Sequence, residues 1–472
     1  MFSRPSGTCL PFSVQHSDEK GRLLIAVRDI KPYQIVLTDR PAAVGPFPST
    51  CLECAAGLPE PSYLCSGCHL PLCGEGCEEG ERHKIECKLL QKTGGGGKEV
   101  EGDMSAAVGV IRILDNTRNN PDVMEMVLRL MDHLEERRKE DIWSDVTEHL
   151  IPFVTSLGYE DVAPELLEKI VGIIRTNSVK WSAGSGKIQG YAVCPVYAVL
   201  NHSCVNNTVD TQTQEGEIMV RATMVIKQGE EIFTQYRGPT QGNILRRQQF
   251  LDYWKFCCNC ARCSDPSELG TMASAGRCDE CGGTVLPVSS AMSSDWVCGG
   301  CGRLETEEKM VATVTRLQMC LDSFLPSQSP EAWETLLTEF QAEVHEDHFL
   351  CMSIKKVLLA MYGGREGYRL EQLPRHLIDR KIELCRNYIS IFSRLEPGFR
   401  QWRGEVLEEL VGPLTVSMNQ DMENNNLTKM EYMMKIKEIV GLVKEAAKCR
   451  QFEESNIAEK GLYKALAQSF KT

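Results

Sequence analysis

The chain of 472 residues lacks any apolar run near the ~20 residues that a membrane span requires. Its first residues do not resemble a secretory signal peptide either, so we expect an intracellular chain of roughly two to four domains. It also lacks a strong basic localisation run, which leaves both nucleus and cytoplasm open.

Positive charge is scarce as well. The chain has 52 lysine and arginine residues against 65 acidic residues, and its formal net charge is −13. Direct nucleic-acid binding is therefore not expected, because it depends on a surplus of positive charge. A basic protein partner suits this charge better.

Cysteine, in contrast, is abundant, with 22 residues. A first cluster has Cys-x2-Cys, Cys-x3-Cys and His-x3-Cys spacing, which brings pairs of ligands to tetrahedral Zn²⁺. Its eight members are Cys51, Cys54, Cys65, Cys68, Cys73, Cys77, His83 and Cys87. Eight ligands fill two closed, structural sites. Disulfides are the alternative, but repeated Cys-x2-Cys pairs with a histidine favour metal.

Two further cysteine clusters raise the expected number of zinc ions to four. The second cluster has three ligands and no local fourth, for which Cys204 is the candidate. Its members are Cys258, Cys260 and Cys263. The third has the spacing of a zinc ribbon, with Gly282 and Gly283 where knuckle turns need positive φ. Its members are Cys278, Cys281, Cys298 and Cys301.

Hydrophobic patterning divides the rest of the chain. Strands are predicted at residues 22–28 and 34–37, closed by the proline-rich stretch 41–48. Four glycines at 94–97 predict a solvated linker, and apolar spacing from 106 to about 176 is helical.

The later part of the chain contains a second strand region followed by helices. Residues 218–222 and 231–234 flank a turn at Gly229 and are predicted to be neighbouring antiparallel strands. From about residue 305 to the end the apolar spacing is helical, and no catalytic motif is seen there.

Several motifs occur in a characteristic order. Asn201-His202-Ser203-Cys204 is followed by Gly229-Glu230-Glu231, by Tyr236, and by Phe256 with the second cysteine cluster. This order resembles a SET domain with its post-SET zinc site, and the eight-ligand module resembles a MYND finger. With its helical C-terminal part, the chain resembles the SET-and-MYND family of protein lysine methyltransferases. The ribbon and residues 262–270 resemble the arthropod branch of that family.

The resemblance implies an α+β fold: a split SET-domain β-fold with an inserted MYND zinc finger, a post-SET zinc site, a zinc ribbon and a C-terminal all-helical domain. It also implies that residues 201–204 thread past the last SET strand. The predicted domains are the N-terminal SET part (1–50), the MYND finger (51–87), the linker and helical insert (88–176), the core SET domain (177–240), the post-SET site and ribbon (241–303) and the helical domain (304–472).

The resemblance implies S-adenosylmethionine-dependent methyl transfer to a lysine amine of a histone or another protein. Tyr236 would be catalytic and would lie where the amine meets the methyl group. The implied cofactor-binding residues are Lys20, Gly21, Arg22, Asn177, Asn201, His202, Tyr236, Trp254 and Phe256. The substrate would be a basic, lysine-containing segment, and its identity and methylation state stay open.

Four positions depart from the family pattern. Leu23 stands where the cofactor loop usually has its second glycine, and Tyr33 follows a proline where glycine is usual. Val179 replaces an aromatic residue of the lysine channel, and Asn206 replaces a proline. An alternative hypothesis is therefore a catalytically degenerate adaptor that recruits protein partners. The MYND finger either serves only to stabilise the fold or is a docking site for proline-rich peptides.

Overall fold

The computed structural model describes residues 10–47, 49–91, 104–118, 120–182, 189–213, 215–291 and 293–452. The predicted four-glycine linker at 94–97 lies outside these ranges. Within them, none of the helices combines the length and apolarity that a membrane crossing needs.

Four strands precede the first cysteine cluster: β1 (Phe12–Ser17), β2 (Gly21–Ala26), β3 (Ile35–Asp39) and β4 (Ala43–Pro46). The two predicted strands are confirmed as β2 and β3. The expectation that the proline-rich stretch ends the strands is wrong, because it contains β4. Pro46 occupies the last position of β4, and prolines are tolerated at strand ends. The polar sequence of β1 hid its pairing with β2.

The described residues between 49 and 240 contain eight more strands: β5 (Tyr63–Leu64), β6 (Pro71–Leu72), β7 (Ser178–Trp181), β8 (Gly190–Val193), β9 (Asn201–His202), β10 (Thr208–Gln212), β11 (Ile218–Ala222) and β12 (Phe233–Thr234). They form the three-stranded sheets β10-β11-β3 and β4-β8-β7, together with the pair β9 and β12. Strands from before and after the cysteine module therefore share sheets, as the split fold requires.

The prediction that residues 218–222 and 231–234 are neighbouring strands is wrong. β11 lies between β10 and β3, while β12 pairs in parallel with β9. The turn is present, with φ +86° at Gly229, but the chain beyond it returns to the N-terminal strands through bridges such as Ile25 to Glu231. A local turn signal does not specify which sheet edge the next strand joins.

The cysteine module and the predicted helical insert share one core. The helices are α1 (Glu75–Glu78), α2 (Glu81–Leu90), α3 (Met104–Arg118), α4 (Pro121–Leu128), α5 (Leu134–Arg137), α6 (Trp143–Asp145), α7 (Ile151–Ser156) and α8 (Pro164–Asn177), with a π-helical turn at Val146–Leu150. Ile111 of α3 and Ile170 of α8 are fully buried in a cluster that also contains Cys65 and Cys68. The insert therefore supports the module.

The remaining elements form a ribbon and a helical array. They are α9 (Asn243–Trp254), β13 (Gly276–Arg277), β14 (Thr284–Pro287), β15 (Trp296–Cys298), β16 (Leu304–Glu305), α10 (Glu307–Ser323), α11 (Pro330–Gln341), α12 (Phe349–Gly364), α13 (Arg375–Leu395), α14 (Gln401–Glu423) and α15 (Lys429–Cys449). β13 to β16 are antiparallel in chain order. The helical prediction from residue 305 onward is confirmed, and residues of α10 to α14 pack into one large core.

Arg400, which directly precedes α14, joins this helical array to β10 and the residues before that strand. Its guanidinium is 5% exposed and donates to the carbonyls of Asn206 and Thr208, each at 2.8 Å, and to the Asn206 side-chain oxygen at 2.9 Å. The departure at Asn206 thus provides an acceptor that proline lacks.

A second departure lies at the same junction. Tyr33 has φ +69°, the left-handed conformation that the usual glycine adopts without strain. Its ring stacks on Phe399 with centroids 5.1 Å apart. Next to it, Gly398 has φ +87°, and a Cβ there would lie 2.5 Å from the Thr223 carbonyl oxygen. Close backbone approach and ring stacking therefore hold the helical array against the sheet β10-β11-β3.

We expect Arg400→Met to lower the free energy of unfolding by about 2–4 kcal/mol, because it leaves buried acceptors on Asn206 and Thr208 without donors. Chemical denaturation measures the change. The matched control is Arg386→Met, whose surface ion pair with Glu438 is worth about 0.5 kcal/mol or less. Equal stability of the two variants would contradict the role assigned to Arg400.

Candidate functional site

The ligand atoms of all four cysteine-rich sets converge. In each set the four sulfur or imidazole nitrogen atoms lie within 4.8 Å of one another. Neighbouring sulfurs are 3.6 Å apart for Cys54 and Cys73 and 3.7 Å apart for Cys278 and Cys301. Two sulfurs bound to one tetrahedral Zn²⁺ lie about 3.8 Å apart, so each set can hold one ion.

The first eight ligands are divided between two sites in an interleaved order. One site contains Cys51, Cys54, Cys73 and Cys77, and the other contains Cys65, Cys68, His83 and Cys87. Cys65 and Cys68 of the second site thus lie in the chain between the two cysteine pairs of the first site. Helix α2 carries His83 and Cys87 four residues apart, on one face. Spacing alone did not specify this division.

The post-SET set joins two distant parts of the chain. Cys204 follows β9 and lies 3.6 Å from Cys263, in a set completed by Cys258 and Cys260. Arg246 of α9 also donates to the Cys263 sulfur at 3.4 Å. The distant fourth ligand expected at Cys204 is therefore in position.

A buried ion cluster supports this set. Glu268 accepts from Arg246 at 2.9 Å and from Arg262 at 2.7 Å, and all three side chains are almost completely buried. Burial alone would raise the pKa of the Glu268 carboxyl, but the two arginines outweigh it and hold the pKa at about 2. The carboxylate therefore stays charged and fixes the loop of residues 262–270.

The ribbon set contains Cys278, Cys281, Cys298 and Cys301. Gly282 has φ +70°, as the knuckle turn predicts, but Gly283 has no positive φ. Gly283 instead makes room for the ligands, because a Cβ there would lie 3.0 Å from the Cys298 sulfur.

The predicted cofactor loop meets the Asn201 motif. Gly21 forms the turn between β1 and β2 with φ +68°. The Asn201 side-chain nitrogen donates to the Arg22 carbonyl at 2.9 Å and to Glu231 at 3.0 Å. Lys20 pairs with the other Glu231 oxygen at 3.0 Å. The structure thus brings Lys20, Gly21, Arg22 and Asn201 together around Glu231.

Glu231 is a residue that the sequence analysis did not assign to the site. The signal was present, since Glu231 belongs to the Gly-Glu-Glu motif that supported the resemblance. Its role depends on the bridge between Ile25 and Glu231, which brings the motif beside β2. Sequence separation hid this contact.

His202 connects the post-SET set to Tyr236. Its Nδ1 accepts from the Tyr236 backbone N–H at 3.0 Å, so the ring proton is on Nε2, which lies 3.2 Å from the Cys204 sulfur. Burial lowers the pKa of His202 to about 3, which keeps the ring neutral. Because both ring nitrogens contact protein atoms, any contact of His202 with a cofactor would come from its main chain.

Aromatic rings surround Tyr236. Its ring centroid lies 5.2 Å from that of Trp254, while Phe256 stacks on Phe250 at 5.3 Å. The Tyr236 hydroxyl donates to the Leu200 carbonyl at 2.8 Å. Burial raises the pKa of this hydroxyl, so it remains protonated and a donor. Three predicted site residues therefore share one apolar cluster with His202.

Asn177 has different partners from the other predicted site residues. Its side-chain nitrogen donates to the carbonyls of Met131 and Ile173, each at 2.8 Å, at the end of α8. Arg137 joins this helix end to the aromatic cluster, because it donates to Thr176 and to the Tyr253 carbonyl. Arg137 is a second residue that the sequence analysis missed, since nothing in its charged surroundings marked it as buried.

Two departures lie at the site itself. Leu23 is paired with Gln15 in the regular β1–β2 ladder, so only Gly21 needs the glycine conformation and the leucine causes no backbone strain. Val179 lies in β7 opposite Ala192 and packs against the SET core. Neither residue disrupts the local fold.

The residues around Glu231 fit S-adenosylmethionine by their chemistry. Lys20 is a cation suited to a carboxylate, and Glu231 is suited to an ammonium group. A Cβ on Gly21 would meet no atom within 4 Å, so the backbone there is open to a ligand. Trp254 and Phe256 offer rings for an adenine.

We expect purified protein to contain about four zinc ions per chain, and Cys204→Ser to contain about three, because three ligands do not close a structural site. Elemental analysis measures both. The matched control is Cys257→Ser, an exposed neighbouring cysteine outside the four sets, which should keep about four. Two or fewer ions in the unaltered protein would refute the ligand grouping.

Comparison with known proteins shows which proteins this chain is similar to. The SET domain model matches residues 72–237. SmydA-8 isoform A of Drosophila melanogaster, a SET domain-containing protein, is 30% identical over 312 residues, which cover 63% of this chain and 66% of that relative. The match thus spans just under two thirds of that relative's length.

Other relatives are more distant. Histone-lysine N-methyltransferase ASHR1 of Arabidopsis thaliana is 24% identical over 81% of this chain and 82% of its own length, and human N-lysine methyltransferase SMYD2 is 27% identical over 40% and 43%. The solved SET domain of LSMT bound to lysine and AdoHcy covers 95% of this chain and 86% of its own, at 13% identity and a TM-score of 0.27, too low to carry an argument. The chain thus contains a SET domain, and in sequence it is similar to proteins of the SET-and-MYND family.

Proposed function

We propose that this protein is an S-adenosylmethionine-dependent protein lysine N-methyltransferase. The observation that carries the proposal is that Glu231 contacts both Lys20 and Asn201, while Asn201 also donates to the Arg22 carbonyl. Asn201 and Glu231 lie within the SET match, as does Tyr236. The relatives named as lysine methyltransferases support the same activity.

For this reaction the protein has to align the two reactants and exclude water. S-adenosylmethionine supplies the methyl group when it is bound. The lysine nitrogen would attack the methyl carbon in line while the carbon–sulfur bond breaks and S-adenosylhomocysteine leaves as a neutral thioether. Alignment and exclusion of water would therefore provide most of the rate. The lysine must first lose its proton, and a dry aromatic channel favours the neutral amine. We assign Tyr236 to that channel as the catalytic residue, while Trp254 and Phe256 lie beside it and would stack near the adenine.

The zinc ion of the post-SET set has a positioning role in this proposal. It would hold Cys204, and through the His202 ring it would hold the Tyr236 backbone. The zinc ion would not touch the reacting atoms. Asn201 would act directly at the cofactor, while His202 would act through Tyr236 and its own main chain.

The substrate proposed is a protein segment with a lysine in basic surroundings, in the nucleus or the cytoplasm. The net charge of −13 supports a basic partner. We assign the interleaved MYND finger a candidate docking role for proline-rich peptides.

Tyr236→Phe should reduce methyl transfer by about 100-fold or more, because it removes the one hydroxyl of the aromatic cluster. Radiolabelled methyl transfer to a mixture of proteins measures this. Zinc content and circular dichroism should be unchanged. Tyr253→Phe, which alters an exposed neighbouring tyrosine, is the control and should keep its activity. Full turnover by Tyr236→Phe would overturn the catalytic assignment.

Calorimetric titration with S-adenosylmethionine tests the cofactor site directly. We expect micromolar binding that Asn201→Ala and Glu231→Gln each weaken about tenfold or more, because each removes a contact that holds the loop. Glu230→Gln changes an exposed neighbouring carboxylate and should bind as the unaltered protein does. No heat at millimolar cofactor would refute the enzyme and favour the adaptor hypothesis, which Leu23 and Val179 first suggested.

A further inference from the structure

A cleft of about 390 Å³ lies where the SET strands meet the helical array. One wall is β10, and the other is the start of α14 with the loop before it. The lining residues that matter here are Asp210, Gln235, Glu396, Arg400, Trp402 and Glu405. Gln235 directly precedes Tyr236 in the chain, so one lining residue is the neighbour of the proposed catalytic residue.

Two carboxylates of the cleft lack a close cation among the described residues. Asp210 accepts from the Tyr197 hydroxyl at 3.2 Å, yet its side chain is still exposed within the cleft. Glu396 is 9% exposed. Among the described residues, no lysine, arginine or histidine nitrogen lies within 4.0 Å of either carboxylate. Burial raises the pKa of both carboxyls, which is the cost of holding charge there.

Arg400 is the cation that lines this cleft, and its donors are already used. It attracts Asp210 and Glu396 through space, but its Nη1 and Nη2 point to acceptors on Thr208 and Asn206. With Glu405 included, three carboxylates face one arginine. The cleft therefore has surplus negative charge that no cation of the described part of the chain neutralises at contact distance.

Two further groups indicate what the cleft accepts. The Gln235 side-chain nitrogen is buried and has no hydrogen-bond partner among the described residues, so it lacks an acceptor such as a peptide carbonyl. Trp402 provides an aromatic surface, which attracts cations through its ring face. A donor for a peptide backbone and an aromatic, acidic pocket for a cation occur side by side.

We propose that this cleft binds an arginine or lysine side chain of the substrate protein, at one position flanking the methylated lysine. That the bound side chain belongs to a substrate rests on the proposed function. Asp210 and Glu396 pair with the cation, Trp402 lies against it, and Gln235 donates to the peptide backbone. Asp210 and Glu396 thereby set the sequence preference of the enzyme.

The test uses the full zinc-loaded chain on a solid support and a randomised seven-residue peptide library with a fixed central lysine. Peptides retained without cofactor are sequenced by mass spectrometry, and methyl transfer to the same library is measured separately. We expect arginine and lysine to be enriched about threefold or more at one flanking position. Asp210→Asn and Glu396→Gln should each abolish that enrichment, whereas Glu423→Gln, an exposed carboxylate on α14, should keep it.

The outcomes separate this site from the activity. No enrichment, equal enrichment in both cleft variants, or equal loss in Glu423→Gln overturns the site. Enrichment that depends on the cleft without any methyl transfer supports the site and contradicts the proposed function. Methyl transfer without a preference for basic residues supports the proposed function and contradicts the site. Asp210→Asn alters an exposed side chain, so it remains informative if Glu396→Gln does not fold.

Discussion

The four-cysteine set of Cys204, Cys258, Cys260 and Cys263 is the constraint on which the candidate active site depends. It closes a contact between chain segments more than fifty residues apart, and the His202 ring then connects the Cys204 sulfur to the Tyr236 backbone. Each link in this series is a hydrogen bond or a metal-type contact with a fixed direction. The aromatic cluster thus acquires its position from a site that does not itself take part in chemistry.

A second constraint acts from the helical array. Arg400 fixes the segment that follows Cys204 by donating to Asn206 and Thr208, while Tyr33 and Phe399 stack beside it. The same junction leaves Asp210 and Glu396 facing a cleft without a close cation. Arg400, which stabilises the junction, therefore lies next to Asp210 and Glu396, to which we assign the substrate preference. Arg400 donates its hydrogen bonds to Asn206 and Thr208 and attracts Asp210 and Glu396 only through space.

Some departures from the family pattern become intelligible through their neighbours. Asn206 accepts from Arg400, and Tyr33 keeps the left-handed backbone while its ring packs on Phe399. Leu23 lies in a regular ladder. These departures suggested degeneration because a sequence pattern does not record which residue compensates for another.

Chain-local chemistry was predictable from the sequence by itself. Cys-x2-Cys spacing identified the metal sets, and helical periodicity identified the insert and the C-terminal array, because both depend on residues near each other in the chain. Tertiary structure alone decided the division of the first eight ligands, the parallel pairing of β9 with β12, and the contacts of Glu231 and Arg137. These depend on which distant segments meet, and a sheet edge or a buried acceptor carries no local signal of its partner.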